Sequence, residues 1–297
     1  MTDPAQGTPA SPGEALARLL SDLRGRESIL VAFSGGVDSG VVAALAWRAV
    51  GGRALAVTGA AETLAAAELD HARHLAAEIG IPHEVVTYGE LDDPEFVANP
   101  AYRCYVCQGK RMGTMVRLAR ERGLATVCDG TNASDPGPDR PGLRAVREHG
   151  IYSPLLAHGL AKQDVRVLAR RLGLSAWDRP ANACLSSRIP HGQAVTLGKL
   201  RLIEAAEERL AARGFRLVRV RHDAGRARVE VPVAEVPRLA RLWEAVAPEI
   251  LALGFQEAVY EPAGYRPGGA ERPSPLVGDA APVPRRRQRR RSRLRPT

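Results

Sequence analysis

The run "SGGVDS" at residues 34–39 carries the clearest chemical signal in the chain. Its two glycines lack a Cβ atom, so the backbone amides can approach a ligand closely. Its two serines add hydroxyl donors, and Asp38 can orient a metal ion such as Mg²⁺. The run matches neither GxxxxGK[ST] nor GxGxxG, the motifs of other nucleotide-binding loops. It predicts a loop that binds phosphate groups, with an ordinary glycine turn as the alternative.

Three of the four cysteines suggest a second kind of chemistry. Cys104 and Cys107 form a CxxC pair in "YRCYVCQGK", and Cys184 lies in "WDRPANACLSSRIPHG", where arginines flank it. Nearby positive charge lowers a thiol pKa and favours the nucleophilic thiolate. The CxxC has no second pair with which to build a structural zinc site. With Cys184, however, it supplies three thiolates, and three can hold a four-iron cluster with one iron open. The alternative for Cys184 is a small apolar loop residue, and Cys128 at the end of "ATVC" is interpreted as core.

A third candidate is the pair of arginines in "FRLVRVRHD". Arg219 and Arg221 lie two residues apart, so they share one face of a predicted strand. With His222 beside them, their guanidinium groups suit a phosphate or a carboxylate. A solvated strand face is the alternative.

Strands and helices alternate through the part of the chain that carries the loop and the cysteines. The apolar patterns predict strands at 28–33, 54–57, 84–87 and 125–128, and helices at 13–24, 38–50, 62–79 and 109–122. Such alternation predicts an α/β fold with a parallel sheet covered on both faces. Ligands bind at the carboxyl ends of such strands, and the "SGGVDS" run follows one of these ends. The CxxC is predicted to lie in an irregular stretch before the helix at 109–122.

The pattern changes after about residue 195. A long helix to about residue 213, strands in "FRLVRVRHD", "ARVEVP" and "FQEAVYEP", and one more helix predict a smaller α+β domain. We therefore predict a first domain at 13–192 and a second at 193–266. Residues 1–12 and 267–297 are predicted to be disordered from their composition.

The net charge of +9 belongs mostly to the end of the chain, because residues 285–297 hold eight arginines and no acid. The remainder is close to neutral, which disfavours a nucleic-acid-binding body; only the tail has the composition to grip RNA. The longest apolar runs are too short to cross a bilayer. Together with few cysteines, this predicts a cytoplasmic protein with reduced thiols and no membrane partner.

Together, these motifs resemble the PP-loop ATP pyrophosphatases and, within them, the LarE family of ATP-dependent sulfur transferases. The resemblance covers about residues 14–266 and rests on "VAFSGGVDS", "YRCYVCQGK", "DGTNASD", "RPGLRA", "SPLLAHGLAKQDVRVLARRLGL", "WDRPANACLSSRIPHG", "VRVRHD" and "EPAGYRPG". It implies a PP-loop domain (adenine nucleotide alpha hydrolase-like). It also implies cleavage of ATP between the α and β phosphates, and sulfur insertion into a pyridinium carboxylate mononucleotide for the nickel-pincer cofactor. Family members are homo-oligomers, so a trimer or hexamer is expected.

The resemblance also implies roles for individual residues. Cys184 acts on the adenylated carboxylate, either as a sacrificial sulfur donor or as one of three ligands, with Cys104 and Cys107, of a 4Fe–4S cluster carrying a labile sulfide; the CxxC favours the cluster. Nucleotide and pyrophosphate contacts are expected from Ser34, Gly35, Gly36, Val37, Asp38, Ser39 and Thr131, with Asp38 also at Mg²⁺. Substrate contacts are expected from Ser187, Arg188, Arg219, Arg221 and His222. The chain departs from the family at Gln108, where lysine is common, and at His191, where tyrosine is common.

Three other functions fit parts of the pattern. A tRNA 2-thiolation enzyme shares the loop and the three cysteines, and the arginine tail would suit RNA. A nucleotide-binding module would sense ATP without chemistry and would not need Cys184. An amide-forming synthetase that uses ammonia needs no set of three cysteines.

Overall fold

The computed structural model describes residues 12–135 and 141–266 of the 297-residue chain. The segments predicted to be disordered, 1–12 and 267–297, lie outside these residues apart from Pro12, which begins the first helix. No helix within the described residues is both long and apolar enough to span a membrane.

Helices and strands alternate along the first part of the chain. In order they are α1 (Pro12–Arg24), β1 (Ile29–Ala32), α2 (Val37–Val50), β2 (Ala54–Ala60), α3 (Ala66–Ile79), β3 (His83–Thr87), α4 (Pro94–Val97), α5 (Arg103–Glu121), β4 (Thr126–Cys128), α6 (Pro141–Glu148), α7 (Pro154–Ala157) and α8 (Lys162–Arg171). A short 3₁₀ turn at Gly51–Arg53 joins α2 to β2, and two more, at Ser175–Asp178 and Leu185–Arg188, follow α8.

The four strands form a parallel sheet in the order β3-β2-β1-β4. Ile29 at the start of β1 lies opposite Ala54 of β2 and Thr126 of β4. The first three residues of β1 are buried, because both faces of a central parallel strand are covered. The predicted α/β class is therefore confirmed.

The strand order reverses beside β1, since the chain first moves to β2 and β3 on one side and later returns to place β4 on the other. A crevice opens at the carboxyl ends of the strands at such a switch point, and ligands bind there. The "SGGVDS" run follows β1 and the "DGTNASD" run follows β4, so the sheet brings the two runs together.

Two predicted helix boundaries are wrong. Helix α3 begins at Ala66 rather than at residue 62, because the side chains of Glu62 and Thr63 are bound to Glu90 instead. Helix α5 begins at Arg103, so the CxxC lies in its first turns rather than in an irregular stretch.

The second region is built on α9 (Leu197–Ala211), β5 (Arg219–Asp223), β6 (Arg226–Glu230), α10 (Val236–Ala252) and β7 (Glu257–Tyr260). Strands β5 and β6 are antiparallel and β7 pairs with β6 in parallel, which gives a three-stranded mixed sheet. Phe215, Leu239 and Ile250 are among the residues of its separate apolar core. The domain boundary at 192/193 stays a prediction.

Candidate active site

The loop after β1 is shaped by its glycines and tied together by its serines. Gly35 has a φ of 73°, and a Cβ atom there would lie 2.8 Å from the Cα of Ala72, so no larger residue fits without a shift. The Ser39 hydroxyl donates to the Gly36 carbonyl at 3.2 Å and lies 3.1 Å from the Ser34 hydroxyl. The amides at the start of the fourteen-residue helix α2 follow directly, and amides at a helix N-terminus in general favour an anion.

The loop after β4 packs directly against the loop after β1. A Cβ atom on Gly130 would lie only 2.7 Å from the backbone nitrogen of Ser39. Asn132 donates from Nδ2 to Oδ1 of Asp38 at 3.3 Å. The Thr131 amide and hydroxyl both donate to Asp129. The two runs that the sequence separates by about a hundred residues therefore form one continuous surface.

Lys162, at the first position of α8, forms an ion pair with Asp38. Its amine is a flexible cation beside the glycine loop, the predicted site for phosphate groups. Sequence reasoning assigned it no role, because the contact spans 124 residues and only the fold reveals it.

Two adjoining cavities meet at this corner. The first, which we call the sheet-edge cavity, measures about 310 Å³ and contains Ser34, Asp38, Ser39, Thr131 and Cys104. The second, which we call the thiol cavity, measures about 220 Å³ and contains Ser34, Gly36, Val37, Asp38, Cys107 and Cys184. The structure thus brings the loop and the three predicted cysteines to one place, with Cys104 in one cavity and the other two thiols in its neighbour.

Cys184 stands where its segment turns into a 3₁₀ helix. Its Sγ lies 3.2 Å from the hydroxyl of Ser186, and its residue is partly exposed to the cavity. The turn that follows is held by Leu185, whose amide donates to the Thr63 carbonyl at 2.9 Å. Anchoring of this kind fixes the thiol at the cavity wall rather than leaving it on a free loop.

Cys107 has an acidic neighbour. Its thiol donates to Oε1 of Glu90 at 2.8 Å. Burial raises the pKa of the Cys107 thiol well above its usual value, and the Glu90 charge raises it further, whereas Arg111 lowers it. The thiol therefore stays protonated at neutral pH.

We expect iodoacetamide at neutral pH to modify the exposed Cys104 first and Cys107 far more slowly, since the thiolate is the nucleophile. Raising the pH toward the elevated pKa should speed the reaction of Cys107. Peptide mass spectrometry against time measures both rates. Glu90→Gln removes the negative charge and should accelerate Cys107 alone; equal rates for Cys104 and Cys107 in the natural chain would contradict the hydrogen bond.

Arg188 is completely buried, and its guanidinium group is held by an ion pair and several hydrogen bonds. It forms a two-pronged ion pair with Glu207, with both N–O distances at 2.9 Å, and donates to the carbonyls of Ala183 and Cys184. Removing one partner of such a buried pair costs about 3–5 kcal/mol. We therefore propose that Arg188 holds the Cys184 turn in place, instead of the substrate contact predicted from the sequence.

The other predicted substrate residues point in different directions. Arg219 lines a third cavity of about 310 Å³ beside the thiol cavity and donates to the Ala181 carbonyl at 3.0 Å. Arg221 is paired with Glu230 and donates to the carbonyl of Ser187. His222 packs on Phe255 on the opposite strand face, with ring centroids 5.4 Å apart. Burial lowers the pKa of His222.

Comparison with known proteins finds a matching family model and several similar proteins. The asparagine synthase family model matches residues 14–104. An uncharacterized protein of Synechocystis is 38% identical over 82% of this chain and 91% of that protein. The pyridinium-3,5-bisthiocarboxylic acid mononucleotide synthase of Lactiplantibacillus plantarum is 33% identical over 85% of this chain and 92% of that protein. This chain belongs to the LarE family.

LarE-type enzymes are ATP-dependent sulfur transferases of cofactor biosynthesis, and this chain is an enzyme of that class. A tRNA-specific 2-thiouridylase of Zymomonas mobilis is 34% identical, but the match covers only 50% of each chain. The match to the LarE relative instead extends through most of both chains.

The candidate ligands of this LarE chain are of the chemical type that the predicted 4Fe–4S cluster needs. Thiolates are the usual ligands of such clusters, and Cys104 and Cys107 lie on one helix face three residues apart. The cluster itself stays a prediction. Across the described residues, no three His, Cys, Asp or Glu side chains are placed to hold a metal ion. Cys107 is moreover bound to Glu90.

Proposed function

We propose that this LarE chain activates a carboxylate of a pyridinium carboxylate mononucleotide with ATP and converts it into a thiocarboxylate. One observation carries the proposal: the glycine loop and Cys184 line the same cavity of about 220 Å³. A loop suited to phosphate and a thiol at one wall are what adenylation followed by sulfur attack requires. The proposed substrate class comes from the relative's name.

In the first step a substrate carboxylate oxygen attacks the α-phosphorus of ATP, and the bond to the β-phosphate oxygen breaks. Pyrophosphate leaves with the negative charge that develops. The loop amides after Ser34 and the amine of Lys162 are positioned to stabilise that charge. Asp38 supplies a carboxylate for Mg²⁺, which neutralises phosphate charge when bound.

In the second step sulfur replaces AMP on the acyl carbon. With Cys184 as donor, its thiolate attacks the acyl carbon and AMP leaves with the electron pair of the broken C–O bond. Loss of the residue's α-proton then breaks its Cβ–S bond. The sulfur stays on the product as a thiocarboxylate, and dehydroalanine remains at position 184.

The cluster predicted from the sequence is the other source of sulfur. It requires the thiols of Cys104, Cys107 and Cys184 to turn toward one another and Cys107 to leave Glu90. Its presence, a homo-oligomeric assembly and a cytoplasmic location stay predictions.

The test is to incubate the purified chain with ATP, Mg²⁺ and a pyridinium carboxylate mononucleotide. We expect AMP, pyrophosphate and a thiocarboxylate product, identified by chromatography and mass spectrometry. Formation of ADP would overturn cleavage between the α and β phosphates. Iron and acid-labile sulfide after anaerobic purification would favour the cluster, whereas loss of one H₂S from the Cys184 peptide would favour the sacrificial donor.

A further inference from the structure

Arg111 occupies the junction between the two cavities. It lies on α5 one turn after Cys107 and lines both the sheet-edge cavity and the thiol cavity. Among the described residues that line both cavities, Arg111 carries the one positive charge. Neither the sequence motifs nor the family resemblance gave this residue a role.

The guanidinium group of Arg111 has few partners. One nitrogen, Nη2, donates to Oε1 of Gln108 at 2.6 Å. The Nε atom is buried without a hydrogen-bond partner in the part of the chain that the structure describes. No carboxylate of that part lies within ion-pair distance, in contrast to Arg179 and Arg188, which are paired with Glu68 and Glu207. A buried donor that lacks a partner is costly and calls for an explanation.

The surroundings keep this group charged. Burial by itself lowers the pKa of Arg111, but neighbouring acidic groups, among them the Glu90 carboxylate, raise it by more, so the net shift is upward. A permanent, planar cation with free N–H groups at the edge of two cavities suits a phosphoryl or carboxylate group.

We propose that Arg111 binds the α-phosphoryl group through both half-reactions and is a catalytic residue of this site. The inference rests on the proposed function. The α-phosphoryl group is bonded to pyrophosphate in ATP, then to the substrate carboxylate in the adenylate, and finally leaves as AMP. It is the electrophile of the first step and part of the leaving group of the second, so a cation that serves both steps belongs where the two cavities meet. Gln108 orients the guanidinium from one side and leaves the remaining donors for the ligand.

Charge at this junction, rather than arginine as such, is what the proposal requires. Gln108 touches Arg111 and lines the same sheet-edge cavity, so a lysine at position 108 would bring an amine to the same region. This allows a rescue experiment that a purely structural role for Arg111 would not satisfy.

The experiment measures pyrophosphate release with ATP, Mg²⁺ and a pyridinium carboxylate mononucleotide. Arg111→Gln is expected to lower kcat by about 100-fold, the usual effect of removing one preorganised donor, with little change in the KM for ATP, because the contact strengthens in the transition state. The double variant Gln108→Lys with Arg111→Gln is expected to recover at least about tenfold of that loss.

The matched control is Arg117→Gln on the same helix. That side chain is 66% exposed and, among the described residues, pairs with Glu121, so kcat should be unchanged. Thermal denaturation checks that each variant is folded; if Arg111→Gln is not, Arg111→Met replaces it in both the single and the double variant, with the same expected results. An Arg111→Gln enzyme as fast as the natural one, or a folded double variant without recovery, overturns this inference alone. A natural chain that releases no pyrophosphate overturns the proposed function instead.

Discussion

Replacing Cys184 with serine is expected to abolish thiocarboxylate formation while pyrophosphate release continues. In the proposed function the loop binds phosphate in the first half-reaction and Cys184 supplies sulfur in the second, and both line the thiol cavity. Serine keeps the hydrogen bond to Ser186 but offers an alcohol, which is a far weaker nucleophile than a thiolate at neutral pH. We expect at least about a 1,000-fold loss of product, on the scale seen when a nucleophile is removed.

Product is measured by mass spectrometry and pyrophosphate by a coupled assay on the same sample. Cys104→Ser and Cys107→Ser are the matched comparison. With a sacrificial Cys184, both variants keep making one thiocarboxylate per chain; with a cluster, both fail as completely as Cys184→Ser. Undiminished product from Cys184→Ser would remove the thiol from the mechanism.

The sequence identified the glycine loop because its chemistry is local. A short apolar strand, two glycines and a helix start within a dozen residues, and each step follows from backbone sterics. The alternation of strands and helices likewise predicted the parallel sheet. The sheet in turn explains why Ser39 and Gly130 meet, since both follow carboxyl ends of strands that flank the switch point.

Tertiary contacts decided what the sequence did not show. Helix α5 starts six residues before the predicted 109, although its first turns contain Tyr105 and Val106, which are poor helix formers. It packs closely on α6, where a Cβ atom on Gly142 would touch the side chain of Gln108 at 3.3 Å. Because α5 begins earlier than predicted, Arg111 and the CxxC lie on one regular helix. Sequence alone gave them no common orientation.

The predicted substrate residues Arg188, Arg221 and His222 do not share one surface, because their side chains point in different directions. Alternation along β5 places His222 opposite Arg221, a signal that the sequence already contained. The ion pair of Arg188 with Glu207 had no such signal, because it joins the 3₁₀ turn Leu185–Arg188 to α9. A buried arginine beside a thiol therefore need not bind substrate; here we assign it to the support of the thiol.

Gly130→Ala is expected to reduce kcat/KM for ATP by about 100-fold, although the added group is one methyl. The new Cβ atom would lie 2.7 Å from the backbone nitrogen of Ser39 and 3.0 Å from the backbone carbon of Asp38. Backbone atoms do not rotate away as a side chain does, so the two loops must separate. A displacement of about 1 Å at a positioned site costs on the order of 100-fold.

Steady-state pyrophosphate release at varied ATP gives this ratio, and the rise of Tm with added ATP reports nucleotide binding independently. Overpacking alone also destabilises a fold by about 1–3 kcal/mol, so the ATP-dependent rise, rather than the Tm itself, is the informative quantity. Gly52→Ala is the control, because no neighbour in the described part of the chain lies within 4 Å of its added Cβ atom. A Gly130→Ala enzyme with the natural ATP response would mean that the loops after β1 and β4 do not hold the nucleotide between them.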